Sequence, residues 1–345
     1  MRGERNFGLD CLRAVAISLV LASHLANGLE ILGVCGVELF FVLSGFLIGG
    51  ILLKTVERQQ DFGFGDLRTF LSRRWFRTLP NYYLFLLIYL ISFGLTMRRE
   101  LIPTSGLVRA AFFGQNLAWP NPNSSLGHLW SLAVEEWFYL LSAGTLFVAM
   151  QLFRPLRRGK DWAIGVTILL FLLVPALVRF GLRQEFLDLR MVVIFRLDAI
   201  MYGVLMALLR QRFGQVWSRP APALAVGSLV AIIGLILYDR STTGTALALT
   251  LLPLGFSGLI PALSSVVRPA GAWTRWVEAL SIWSYSIYLS HTFIYHGLKP
   301  FVGYDSLTWS GKFLYKAAAI ALIIVISSLN YRFFEKPTTA LRDRV

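Results

Sequence analysis

The chain is poor in the residues that staple small folds or build metal centres. Only two cysteines, Cys11 and Cys35, occur in 345 residues. The topology developed below sends them to opposite membrane faces, which argues against a disulfide, and neither stands at metal-ligand spacing. Both read as small buried side chains, and no metal is expected. Charge is also scarce, at 15% of residues, and carboxylates are the rarer sign, with 19 Asp and Glu against 33 Lys and Arg. No internal repeat, low-complexity tract or separable soluble domain is evident, so residues 1–345 read as a single membrane domain. No small-residue cleavage site follows the first apolar run, which argues against a removable leader.

What the chain has in quantity is apolar surface. It is 56% hydrophobic, with 26 Phe, 10 Trp and a mean hydropathy of +0.63. Long apolar runs recur from end to end, the signature of an all-α, polytopic membrane protein. A span needs about 20 apolar residues, and ten candidates emerge at roughly 10–28, 33–53, 79–97, 131–152, 162–180, 191–209, 222–238, 244–264, 277–297 and 313–334. Ten spans put both termini on one side. With both in the cytoplasm, 21 basic residues fall on inner segments and ten on outer ones, while Arg13 and Arg196 fall inside spans. The net charge of +14 is then a matter of topology, and nucleic acid is not an expected partner.

The first span carries both Arg13 and His24 in "LDCLRAVAISLVLASH". Eleven residues of helix are about 16 Å, and eleven steps of 100° bring both side chains to nearly the same face. Charge inside a span is costly unless it faces protein or a wet cavity. The orientation puts His24, His128, His291 and Glu38 near the outer boundary, with Glu135 and Glu136 about two turns below His128. Converging ionisable groups in a membrane are a functional-site hypothesis. The inner face differs. "SRRWFRTLPNYY" holds Arg73, Arg74 and Arg77, and guanidinium forks suit phosphates. With Arg13 they could form a phosphate-binding mouth, although a plain positive-inside flank has the same spacing. Arg196 and Asp198, in "FRLDAIMYG", are expected to pair from helix to helix.

These segments together resemble the acyltransferase-3 family of integral membrane acyltransferases, which includes bacterial O-acetyltransferases of lipopolysaccharide and exopolysaccharide sugars. The resemblance runs nearly the length of the chain. Its arginine, ten residues, histidine signature falls on Arg13 and His24. "GVELFFVLSGFLIGGIL" matches the second-span pattern through Phe40, Phe41, Ser44, Gly45 and Phe46. "RRWFRTLPNYY" matches an arginine–proline element through Arg74, Arg77 and Pro80. "LGHLWSLAVEEWFYL" matches through His128, Trp130, Ser131 and Glu135, and "YSIYLSHTFI" through Tyr285, Tyr288 and His291. "RFFEKP" supplies the closing element with Glu335 and Pro337. Some members carry a soluble hydrolase-like domain after the last span; no such appended domain is expected before Val345.

The resemblance implies an acyl-CoA donor, usually acetyl-CoA, and a sugar hydroxyl acceptor on a glycan or lipid-linked oligosaccharide. It implies a multi-pass protein of the bacterial inner membrane, in contact with its lipids. The donor's phosphates would meet Arg13, Arg73, Arg74 and Arg77, and its pantetheine arm would run outward along the first span. His24 is the expected general base, oriented by Glu135 or Glu38. His128 would polarise the thioester or hold the acceptor, and Asn116 or Ser131 would donate to the oxyanion. Trp119 and Trp130 are candidates for stacking on sugar, and Tyr288 and His291 for the acceptor end. Ser44 is a possible nucleophile, but reads better as a small-residue helix contact. Two rivals stand beside this reading: a transporter or flippase of a glycan precursor or organic anion, and an acyltransferase of small-molecule or lipid acceptors.

Overall fold

The computed structural model describes residues 5–26, 28–58, 62–95, 104–117, 127–181, 186–214, 217, 220–238 and 241–344. Every regular element among them is helical. Seven helices are long and apolar enough to cross a membrane: Phe7–Leu25, Glu30–Arg58, Gly127–Leu152, Gly159–Gly181, Pro220–Leu237, Thr242–Ser264 and Trp309–Ala340. The other three expected spans are helical but do not meet that standard. Leu197–Arg212 has 16 residues, about 24 Å, which is short of a 30 Å core. Phe64–Leu95 has 32 residues, and its first half is rich in charge. Trp273–Gly297 is long enough, but many of its side chains are polar.

We number the elements α1 (Phe7–Leu25), α2 (Glu30–Ser44), α3 (Gly50–Arg58) and α4 (Phe64–Leu95). A π-helical turn, Gly45–Gly49, joins α2 to α3. The chain continues through α5 (Thr104–Ala111), α6 (Trp130–Leu152), α7 (Gly159–Gly181), α8 (Phe186–Met191) and α9 (Leu197–Arg212). It ends with α10 (Pro220–Leu237), α11 (Thr242–Ser257), α12 (Leu259–Ser264), α13 (Trp273–Gly297) and α14 (Trp309–Asn330). A second π turn, Tyr331–Glu335, follows α14. The helices form two compact units, one of residues 1–37, 72–103 and 268–345, the other of residues 38–71 and 104–267.

In the first unit α1 starts where the Asn6 side chain accepts the Leu9 N–H at 3.0 Å, satisfying one of the free amides of the first turn. Within lipid, helices associate through close packing rather than hydrophobic transfer, so small residues mark their crossings. Gly36 is such a point: a Cβ there would stand 2.6 Å from the Ala16 carbonyl oxygen of α1. Helix α13 packs along α1 and α14. Its Ser281, Ser284, Ser286, Ser290 and His291 are all buried. The polar residues that lower its hydropathy are therefore the ones it turns inward.

The second unit has its own close crossing. A Cβ on Gly45 would overlap the Ile200 carbonyl, and one on Gly203 would overlap that of Val42. Two ion pairs lie inside it, Glu38 with Arg196 and Arg179 with Asp198, every side chain at most 1% exposed. Helix α11 contains Pro253, which has no N–H to offer the Leu249 carbonyl four residues earlier. Arg196 Nη1 donates to that carbonyl at 2.9 Å. The broken helix bond and the buried cation satisfy each other, as a low-dielectric setting requires.

Candidate active site

The first unit holds every arginine expected at phosphate, together with His24 and His291. Arg13 does not stand alone on α1. Asp10, buried one turn earlier, lies 3.7 Å from it and 2.6 Å from Arg5. Ser281 of α13 donates to Asp10 at 2.6 Å and accepts from Arg13 at 3.3 Å. Asp10 and Ser281 thus fix the Arg13 guanidinium, and sequence reasoning missed both. The i, i+3 spacing of Asp10 and Arg13 was the available signal.

The arginines of α4 are not at a helix start. The helix begins at Phe64, so Arg73, Arg74 and Arg77 lie well inside it. Arg74 is buried, while Arg73 and Arg77 are exposed. The Arg77 charge acts on Glu335, whose carboxylate closes a polar knot. Ser286 donates to Glu335 at 2.5 Å and Asn81 donates to it at 3.2 Å. Asn330 donates to Ser286 at 2.7 Å and to Asn81 at 2.8 Å. The knot joins α4, α13, α14 and the second π turn, and keeps the arginine-bearing face of α4 in register. Nearby, the Tyr285 hydroxyl donates to the Thr78 carbonyl at 2.9 Å, two residues before Pro80.

At the far end of α1, about 16 Å from Arg13, the His24 ring lies 4.8 Å from His291 and 6.4 Å from His296. His24 is exposed and His291 is buried. The His291 Nδ1 stands 2.7 Å from the Tyr288 carbonyl. A carbonyl can only accept, so Nδ1 carries the proton and the neutral ring presents its lone pair at Nε2. Tyr288, buried, packs its ring 5.6 Å from His291. The Thr292 hydroxyl is tied to Tyr89 at 2.6 Å, which anchors this turn of α13 to α4.

The remaining predicted residues belong to the second unit. Glu38, expected to orient the His24 ring, is paired instead with Arg196 inside that unit. Arg196 and Asp198 were expected to make helix-to-helix pairs, and each does so with a separate partner: Asp198 takes Arg179 at 2.9 and 2.5 Å. Asn116 donates to the Trp130 and Met191 carbonyls at 3.0 and 2.6 Å, so both its N–H groups serve the backbone rather than an oxyanion. Trp130 is buried, with the Arg190 guanidinium 5.6 Å over its ring and Phe41 edge-on at 5.8 Å. That face is occupied by a cation where a sugar was expected. His128 is half-buried in the short turn Gly127–Leu129, and Ser131 is buried in the first turn of α6. Trp119 lies outside the described residues.

One group in this unit has catalytic character. Ser44, just before the π turn, is hydrogen-bonded to the Tyr139 hydroxyl. Both donate to Glu135 Oε2 at 3.3 Å. π turns inside α-helices are common at functional sites. Tyr139 also borders a largely apolar cavity lined by Ile48, Leu52, Phe138, Ile164 and Met201. Among the described residues, no group of three or more His, Cys, Asp or Glu is placed to hold a metal ion.

Comparison with known proteins adds to this geometry. The acyltransferase-3 family, an acyltransferase domain, matches residues 6–331. The O-acetyltransferase OatA of Staphylococcus aureus is 35% identical over 159 residues, covering 43% of this chain and 26% of its own length. The peptidoglycan O-acetyltransferase OatA of Listeria monocytogenes is 34% identical over 158 residues, covering 41% of this chain and 24% of its own. A second Staphylococcus aureus protein, SACOL0978, is 26% identical over 360 residues, covering 96% of this chain and 56% of its own. The chain thus spans from a quarter to just over half of the length of these relatives. No solved structure matches it.

Proposed function

The chain belongs to the acyltransferase-3 family, and from that premise we propose that it transfers an acyl group from acyl-CoA to a sugar hydroxyl of a surface or exported glycan. Acetyl is the acyl group favoured, because the OatA relatives are named O-acetyltransferases. A bacterial inner membrane is the setting, with the donor entering from the cytoplasm.

The observation that carries the reading is the His24–His291 pair at 4.8 Å, on the helix whose other end holds Arg13. A coenzyme A head would meet Arg13, Arg73, Arg74 and Arg77 through its phosphates. About 16 Å separates the two ends of α1's polar face, which suits a pantetheine arm. His24 takes the proton of the acceptor hydroxyl, whose oxygen attacks the thioester carbon. The carbon–sulfur bond breaks, and coenzyme A leaves as the thiolate and collects the proton from the imidazolium. His291, its tautomer held by Tyr288, orients the His24 ring and turns a lone pair toward the imidazolium that forms. Ser44, Glu135 and Tyr139 make a hydroxyl–carboxylate group suited to a sugar hydroxyl, as does Ser131, and His128 remains the candidate for the thioester carbonyl.

The test uses purified protein with acetyl-labelled acetyl-CoA and a glycan acceptor. His24→Ala should lower turnover by at least about a hundredfold, the lower end of what a general base supplies, with donor affinity preserved. Turnover that survives the substitution removes His24 from the chemistry. Failure to bind acetyl-CoA at all would favour a transporter.

A further inference from the structure

The segment that follows the histidine-bearing helix is built as a cationic aromatic platform. Gly303, with φ +58°, turns the chain back after α13, a conformation that costs glycine nothing. The Tyr304 N–H then donates to the Lys299 carbonyl at 3.1 Å, which closes the loop and sets the two residues side by side. The Lys299 ammonium lies 4.4 Å over the Tyr295 ring and 4.8 Å over Tyr304, and that of Lys312 lies 5.6 Å over Tyr304. Tyr304 stacks edge-on against Tyr315 at 5.0 Å, and the Tyr315 hydroxyl donates to the Tyr295 carbonyl at 2.5 Å.

This platform is fixed to the candidate site. Tyr295 and Tyr315 pack in one buried cluster with Leu25, and Tyr304 packs against it together with Leu21. Leu25 is the residue after His24. Tyr295 lies 4.9 Å from His296, which is the other histidine beside His24. Two ammonium groups converge on one half-buried tyrosine ring, and among the described residues neither is in an ion pair. Their charges repel each other and attract an anion. A tyrosine face with flanking ammonium groups suits a pyranose ring that carries a carboxylate or phosphate.

We propose that Lys299, Tyr304 and Lys312 form the acceptor subsite for an acidic sugar, one residue bearing a carboxylate or phosphate, held beside His24. The proposal deepens the acyltransferase reading by naming the class of its acceptor, and rests on it for the role of His24. A lipid headgroup is the other anion such a loop could meet. The exposed apolar side chains Trp309 and Phe313, stacked at 6.1 Å, suit that contact better and belong to the turn of α14 that follows.

The test is donor-free binding to the full chain in neutral-lipid nanodiscs, with hyaluronan hexasaccharide as the acidic probe and chitohexaose as the neutral one. The native protein should prefer the acidic probe, and salt should weaken that preference. Lys299→Gln with Lys312→Gln should lower acidic-probe affinity about tenfold and change neutral binding by less than twofold. Lys299→Arg with Lys312→Arg should retain the preference, which separates charge from folding. The proposal is overturned if the native protein does not prefer or does not bind the acidic probe, if the glutamine pair keeps the preference, or if the arginine pair loses it. Loss of phosphatidylglycerol-vesicle association in the glutamine pair, with sugar binding intact, would assign the loop to lipid instead. Because no donor is present, the result is independent of whether His24→Ala abolishes transfer.

Discussion

Glu38→Gln is the sharpest test of the buried charge network. The substitution keeps the volume of Glu38 and a hydrogen-bond acceptor for Arg196, but removes the only carboxylate paired with that guanidinium among the described residues. Asp198 cannot replace it, because both its oxygens are held by Arg179. A buried cation without its partner costs about 3–5 kcal/mol. Arg196→Gln added to Glu38→Gln removes the stranded charge. It also takes the donor from the Leu249 carbonyl, which Pro253 had already deprived of a helix partner, at a cost of about 1–3 kcal/mol. The double variant should therefore be more stable than Glu38→Gln alone. With about 2–4 °C per kcal/mol for a unit of this size, the single change should lower the melting midpoint in detergent by about 6–20 °C, and the pair should recover part of that. Acetyl transfer measured below both midpoints should be similar in the double variant and the native protein if Glu38 serves only the fold. The reasoning fails if the single variant melts with the native protein, or if the pair melts lower than the single.

Other outcomes follow from the first unit. Gly36→Val should lower the midpoint in the same assay, since its Cβ would press on the Ala16 carbonyl; an unchanged midpoint would mean α1 and α2 can part freely. Asp10→Asn should raise the KM for acetyl-CoA about threefold to tenfold with kcat unchanged, because Arg13 loses the carboxylate that aims it. A fall in KM would instead make Asp10 a competitor for the arginine. The KM for acetyl-CoA should rise with ionic strength, and Arg74→Gln with Arg77→Gln should flatten that dependence, as titration of the rate with salt would reveal. His291→Phe should lower kcat about tenfold or more at constant donor KM; an equal rise in KM would assign His291 to binding.

Much of this arrangement was legible from spacing. Arg13 and His24 declare their shared face because an α-helix repeats on a fixed angle. Helical character was equally plain from the apolar runs. Hydropathy counted α13 as a span like the others, yet its serines and His291 face protein rather than lipid, and a composition average cannot tell those directions apart. The start of α4 was misplaced because its first turns, from Phe64 to Arg77, look like a charged loop until their neighbours are known. Partner choice was the least legible feature. Arg196 and Asp198 are two residues apart, so they point to different sides of the helix, and which carboxylate or guanidinium meets each depends on helices more than a hundred residues away in sequence. Asp10 escaped notice for the opposite reason: a first-turn aspartate is an ordinary helix-start residue, and only the contact with Ser281 gives it a further task.

The wide turn between α2 and α3 has a consequence for how the chain can vary in length. It accommodates one more residue than a regular turn would, and so sets the angular phase of everything after it. Deleting a single residue from 45–49 would let the helix run on without interruption. It would also rotate Leu52, Leu53 and Val56, all buried, by about 100° around the axis. A deletion at this point would therefore be felt several turns away, as an apolar stripe facing the wrong neighbours, whereas a substitution would be felt only locally.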